Sequence, residues 1–375
     1  MNPSKIWHCA RPRLAASYLE VLGSGLAVST SIFAPRRTGK TVFLLQDLAP
    51  AARAAGYAVA YADLWQTRLN PGIALIKALE EALEPRTLGE RAMRKLKEPV
   101  KKVKAKGSLG EFKGEVEVEL AEGRKASTEM ALRIDELVSQ IVARKPLLLL
   151  VDEAQELARS KDNELMAAAL RTAMTKHRDA MRVIFTGSSR TQLAHVFKNA
   201  DAPLYSVGGS IQDFPLLGRE LVEYVAGRFE KASGRKLDVA KAWVAFQDFR
   251  FHPEPFLSAV IAMLMDPRLK DEKAYAMERA EQDKEENHEG TWAALNPMQQ
   301  QVLRLVVREP LLKPFSQATR SALGKALGVG VLEASSVQYA VNDLALKNVV
   351  TRSPQGVFRF ENHAFERWVK TLAPQ

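Results

Sequence analysis

The chain has 375 residues, 46% hydrophobic and 26% charged, with 54 Lys+Arg against 44 Asp+Glu for a net charge of +10. That balance excludes a wholly disordered or collagen-like chain, and the length of about two to three typical domains leaves ample material for buried cores. The single cysteine, Cys9, excludes an internal disulfide and fits a reducing cytoplasm, while a pI near 9.5 is compatible with an anionic partner without requiring one.

The opening MNPSKIWHCARPR has no apolar leader core, and the longest apolar stretch, Pro146 to Val151, is far too short to span a bilayer, so membrane insertion is not expected. In chain order, AVSTSIF predicts a buried strand from about Leu26 to Phe33, running directly into APRRTGKT. A helix follows from Val42 to Ala55, closed by Gly56, then a strand from Tyr57 to Leu64 and a helix from Pro71 to Leu83. Between Arg86 and Lys113 stand 10 Lys/Arg against 3 Glu, a strongly basic segment. The tract GSLGEFKGEVEVEL predicts a hairpin with Val116, Val118 and Leu120 on one face. Ser127 or Thr128 can cap a helix reaching Arg144.

Pro146 opens LLLLVDE, whose unbroken apolar run fits a strand covered on both faces. A helix from Asn163 to Lys176 and a strand from Arg182 to Thr186 repeat the alternation, which predicts a parallel, doubly wound sheet. After Pro215 the chain reads as helical to about 280, interrupted at HPEP (252–255), and the acid-rich stretch Glu278 to Glu289 reads as a solvated linker or exposed helix end. From Asn296 three helices and a hairpin around TRSPQGVFRF predict a winged helix-turn-helix.

The segment Ala34-Pro35-Arg36-Arg37-Thr38-Gly39-Lys40-Thr41 fits the phosphate-loop pattern G-x4-G-K-[ST] (Walker A), with Ala34 where glycine is usual. Loop and helix N–H groups, through Val42, would face phosphates, Lys40 would reach the β- and γ-phosphates, and the Thr41 hydroxyl would ligate Mg²⁺. Asp152 and Glu153, ending an apolar strand as in a Walker B motif, lie where such sheets bind ligands. Asp152 suits the Mg²⁺ shell, and Glu153 suits the proton acceptor for an attacking water. Thr186 and Ser188, in TGSSR after the next strand, are candidates to sense the γ-phosphate or position that water. Arg171, Arg178, Arg190 and Arg219 are inseparable as candidate arginine fingers. ATP and Mg²⁺ are therefore the expected cofactors.

FAPRRTGKT, LLLLVDEAQEL, IFTGSS, SSVQYAVNDLALKNVV and the closing FENHAFERWV together resemble the archaeal-type ATPase family, near the STAND branch of the AAA+ P-loop ATPases. The resemblance implies an α/β AAA+ core over 1–215 carrying a basic and hairpin insertion at about 85–125. It further implies a helical lid and acidic linker over 216–290 and a winged-helix domain over 291–375. HPEP resembles the lid proline motif, making His252 and Pro253 candidate nucleotide contacts. PLYSVGGS (203–210) departs from the family pattern in lacking an arginine often found there.

In the last unit Ser335 to Lys347 would be the recognition helix, with Ala340, Val341 and Leu344 inward and Ser336, Gln338, Tyr339 and Asn342 suited to groove contacts. Arg352 and Arg359, with Arg320 and Lys325, could touch phosphates, although this unit holds only 10 Lys/Arg against 5 Asp/Glu. Segment 86–113 reads either as a solvated face or as a phosphate-tracking arm. Two functional readings stand. One is a cytoplasmic Mg-ATP-hydrolysing ATPase, assembling into nucleotide-dependent homo-oligomers, whose nucleotide state controls assembly or engagement of double-stranded DNA. The other is a slow STAND-like ATP/ADP switch that recruits a protein partner.

Overall fold

The computed structural model describes residues 6–67, 69–84, 115–285, 288–309, 314–347, 349–352 and 358–372. The chain begins with α1 (Pro12–Gly23) and β1 (Ser29–Phe33). A long helix, α2, then runs through Lys40–Phe43, a π turn at Leu44–Leu48 and Ala49–Ala54. Pro50 has no N–H to give to the preceding turn, and the helix widens just before it. The sheet continues with β2 (Ala58–Asp63), α3 (Pro71–Leu83), α4 (Glu115–Val142) and β3 (Leu147–Asp152). After a 3-10 turn (Ala154–Ala158) come α5 (Lys161–Lys176), β4 (Met181–Gly187), α6 (Arg190–Lys198) and β5 (Ile211–Asp213).

The five strands are all parallel, in the order β2-β3-β4-β1-β5. Every residue of β3 is buried, because helices cover both faces of the sheet. Leu147, Leu149 and Val151 pack toward α3, α4 and α5, whereas Leu148 and Leu150 pack toward α1 and α2. This two-residue alternation between two cores is what made the sequence run continuously apolar.

Three expectations are corrected. Val116, Val118 and Leu120 lie in α4 and form no hairpin strand, and Ser127 and Thr128 fall inside that helix rather than capping it. The two-residue alternation there covers only three apolar positions, whereas Glu, Leu, Ala, Lys and Arg dominate the tract and favour helix. The first strand starts at Ser29, and Leu26 is 92% exposed in the turn before it. The Arg86 to Lys113 segment lies outside the described residues.

Four helices follow: α7 (Arg219–Ser233), α8 (Val239–Asp248), α9 (Pro253–Met265) and α10 (Asp271–Glu285). They enclose their own core around Phe229, Phe246 and Phe256. The acidic stretch at 278–289 accordingly supplies the end of α10 and the start of α11 (His288–Ala293). A further core, around Leu303, Val337 and Val369, gathers α12 (Pro297–Arg308), α13 (Gln317–Ala326) and α14 (Ala334–Leu346). An antiparallel pair, β6 (Val350–Arg352) and β7 (Phe358–Phe360), and a closing helix, α15 (His363–Leu372), complete it. Polar contacts join this last group to the others: Gln192 Nε2 donates to the Leu346 carbonyl at 3.3 Å, and Arg250 lies 3.3 Å from Glu366. Among the described residues no helix is long and apolar enough to cross a membrane.

Candidate nucleotide site

The carboxyl ends of β1, β2 and β3 open onto one cleft of about 740 Å³. The loop from Ala34 to Gly39 turns directly out of β1 into α2. Ala34 is fully buried and its N–H donates to the Gly187 carbonyl at 3.1 Å, extending the β1–β4 ladder. Its backbone is not left-handed; that conformation falls instead to Arg37 (φ 65°) and Gly39 (φ 84°). Alanine in place of the usual first glycine is therefore accommodated without backbone strain. Thr38 donates its hydroxyl to the Pro35 carbonyl at 2.8 Å and closes the loop. Gly39 precedes α2 with no side-chain cap, so the first N–H groups of that helix are directed into the cleft.

Lys40, 7% exposed, points back across the loop, its ammonium 2.9 Å from Asp152 and 2.8 Å from Glu153. Asp152 Oδ2 accepts from the Thr41 hydroxyl at 2.8 Å and from Tyr61 at 3.1 Å, while Oδ1 accepts from the Thr186 hydroxyl. Glu153 Oε2 accepts from the Ser188 hydroxyl at 2.7 Å and from the Gln155 amide. Glu153 itself adopts φ 56°, a left-handed conformation that a non-glycine residue holds only where surrounding bonds fix it.

The electrostatics follow from this packing. Burial opposes the Lys40 charge, but Asp152 and Glu153 outweigh it and hold the ammonium above the ordinary lysine value. Burial also opposes both carboxylates, yet Lys40 and the hydroxyl or amide donors keep Asp152 and Glu153 below the usual carboxylate range. Burial, reinforced by Asp152, pushes the Tyr61 phenol upward, so it remains a neutral donor.

The opposite wall of the cleft is the start of α9. Pro253, Glu254, Leu257, Ser258 and Ile261 line it, Glu254 lies 3.3 Å from Arg37, and a Cβ built on Gly39 would sit 3.9 Å from Pro253. Of the two residues expected from HPEP, Pro253 reaches the cleft; His252 precedes the helix and is not among the lining residues. The cleft thus brings together Pro35, Arg36, Arg37, Thr38, Gly39, Lys40, Thr41, Val42, Asp152 and Glu153, with buried Thr186 and Ser188 behind the carboxylates. Three candidate arginine fingers have other partners. Arg171 donates to the Pro203 and Tyr205 carbonyls, Arg190 pairs with Asp213 and stacks on Phe33, and Arg219 pairs with Glu223.

Sequence reasoning missed Tyr61, Asp63, Trp65, Gln155 and Glu254. Two of these carried a signal: Gln155, two residues beyond Glu153, and Glu254, inside HPEP. Trp65 lines the cleft under the Arg36 guanidinium, 4.9 Å from its ring centre, and reaches it through the β2–β3 register that sets Asp63 beside Asp152. On α14, Ser336, Gln338, Tyr339 and Asn342 are exposed and Ala340, Val341 and Leu344 buried, as the spacing predicted. Gln338 donates to Asn342 at 2.9 Å, and Arg320 is taken up by the Leu332 carbonyl at 3.0 Å. Arg352 ends β6, and its side chain lies outside the described set.

The chain matches no protein-family model and no curated protein. Its fold is nevertheless shared with solved structures. It superposes on the Walker-type ATPase of Pyrococcus abyssi over 97% of its own length and 99% of that chain, with a TM-score of 0.62 and 16% identity. On the ORC2 protein of Aeropyrum pernix, solved in ADPNP-ADP complexes, it covers 99% of its length and 98% of that chain, with a TM-score of 0.57 and 14% identity. At these identities the likeness is one of fold: an α/β architecture built on a parallel five-stranded sheet.

Proposed function

We propose that this chain binds and hydrolyses Mg-ATP as an AAA+ ATPase, with 1–215 as its core, 216–290 as a lid and 291–375 as a winged-helix module. The observation carrying this reading is the convergence of Lys40, Thr41, Asp152 and Glu153, drawn from β1–α2 and β3, at one sheet edge. The Thr41 hydroxyl and the Asp152 carboxylate are hard oxygen donors 2.8 Å apart, which fits Mg²⁺, an ion that takes few protein ligands and completes its shell with phosphate and water. Bound there, Mg²⁺ would supply charge neutralisation on the phosphates. Lys40, held charged, binds the β- and γ-phosphates alongside the N–H groups of the loop. Glu153 receives the proton of the attacking water, and Thr186 and Ser188 hold the two carboxylates in place.

The nucleotide state, in this reading, governs assembly into homo-oligomers or engagement of double-stranded DNA through Ser336, Gln338, Tyr339, Asn342 and Arg352. The exposed, uncharged face of α14 supports groove contacts more than phosphate contacts. The STAND-like switch is favoured by a separate observation: Pro253 of the lid lies beside Gly39 and Glu254 pairs with Arg37 of the loop, a link through which nucleotide state and lid position would be coupled.

Steady-state ATP hydrolysis with and without duplex DNA, at low and high salt, tests the proposal. Lys40-dependent turnover raised severalfold by DNA and suppressed by salt is the expected result. Slow, DNA-indifferent turnover with retained ADP would transfer the assignment to the switch, and absence of nucleotide binding would overturn both.

A further inference from the structure

We infer that Gln155 is a positioning residue for Glu153, clamping one carboxylate oxygen so that the other is the one left to receive a proton. The inference rests on the hydrolytic reading above. Gln155 sits on the 3-10 turn that follows β3 and is 6% exposed. Its amide nitrogen donates to Glu153 Oε2 and also reaches the Ser188 hydroxyl at 3.4 Å. The Ser188 hydroxyl and backbone N–H donate to the same Oε2 at 2.7 and 3.3 Å. An amide nitrogen carries two hydrogens and a hydroxyl one, so every hydrogen in the Gln155–Ser188–Glu153 triangle has an acceptor. Because an ionised carboxylate only accepts, the nitrogen end of the Gln155 amide must be the end that faces it.

The other end of that amide makes packing a poor explanation. Gln155 Oε1 is buried and has no hydrogen-bond partner among the described residues. A Cβ on Gly187 would clash with that oxygen and stand 2.7 Å from Leu193, so glycine at 187 provides the space the amide occupies. A buried carbonyl without a partner opposes folding, and methionine would fill the same volume without one. The amide is retained against this cost, and the group it serves is Glu153.

Three donors saturate Oε2, while among the described residues Oε1 meets only Lys40, at 2.8 Å. When Lys40 turns to the phosphates, Oε1 is the acceptor that remains. The water proton passes to Oε1 as the water oxygen bonds to the γ-phosphorus and the bond to the bridging oxygen breaks, leaving ADP.

The test compares wild type, Gln155→Met and Glu153→Gln for kcat, KM, nucleotide affinity measured without magnesium, and thermal midpoint. Gln155→Met is expected to lower kcat by roughly 10- to 100-fold, part of what a positioned proton acceptor supplies. KM and magnesium-free affinity should stay within about twofold, and the midpoint should hold or rise. A kcat within about twofold of wild type overturns the inference, as does a fall in kcat matched by a fall in midpoint or affinity, the mark of a structural role. Glu153→Gln separates the two levels. If it is inactive while Gln155→Met is normal, only this inference fails; if it hydrolyses normally, the hydrolytic reading fails first.

Discussion

Lys40→Met keeps most of the side-chain volume at position 40 and removes its charge. Asp152 is 2% exposed, and the substitution strips the cation from beside both carboxylates. Breaking a buried ion pair from one side costs about 3–5 kcal/mol. Here Asp152 keeps the hydroxyls of Thr41, Tyr61 and Thr186, and Glu153 keeps that of Ser188, which places the expected loss at about 2–3 kcal/mol. At about 2–4 °C per kcal/mol for a unit of this size, the midpoint should fall by about 4–12 °C. Ligand linkage adds a second signature: Mg-ATP at about 100 times Kd stabilises the wild type by about 2.7 kcal/mol and should stabilise the variant not at all. Scanning calorimetry with and without Mg-ATP, beside titration calorimetry, reads both effects. A variant with an unchanged midpoint and an intact ATP-induced shift would refute the assignment of Lys40.

Further outcomes are expected elsewhere. Gly39→Ala places a Cβ in a left-handed backbone at φ 84°, where Pro253 leaves room, so its cost should be conformational, about 1–2 kcal/mol by denaturant unfolding; a neutral variant would contradict the loop geometry. Burial pushes the Glu361 carboxyl up to about 7, with Thr351 and Arg36 pulling the other way. A raised folded-state pKa means the ionised form destabilises the fold: the cost is absent at low pH, grows from about pH 4.5 to about pH 7, and is complete above. Glu361→Gln should therefore gain about 1–2 kcal/mol near pH 8, after allowance for partial exposure, and nothing near pH 4; equal gains at both pH values would reject this account.

The pattern of elements was legible wherever burial on two faces or helix capping left a local trace. The LLLLVD run, the helix at Pro71–Leu83 and the loop Ala34 to Thr41 all fell where their residues predicted. The tract at 115–120 misled because a three-position alternation is weaker than the helix propensity of the residues around it. The residues that meet at the cleft were also legible, since Gly39, Lys40, Thr41, Asp152 and Glu153, singled out by their spacing, all line it.

The sequence by itself therefore determined which groups are available: Lys40, Thr41, Asp152, Glu153, Thr186 and Ser188. Only the tertiary structure decided that Tyr61 and Gln155 complete the shells of Asp152 and Glu153, that Trp65 lies under Arg36, and that Glu254 meets Arg37 across the cleft. The physical reason is that strand register and helix docking are set by summed packing over residues far apart in the chain. No local pattern encodes that Asp63 stands beside Asp152, or that α9 lies across Gly39.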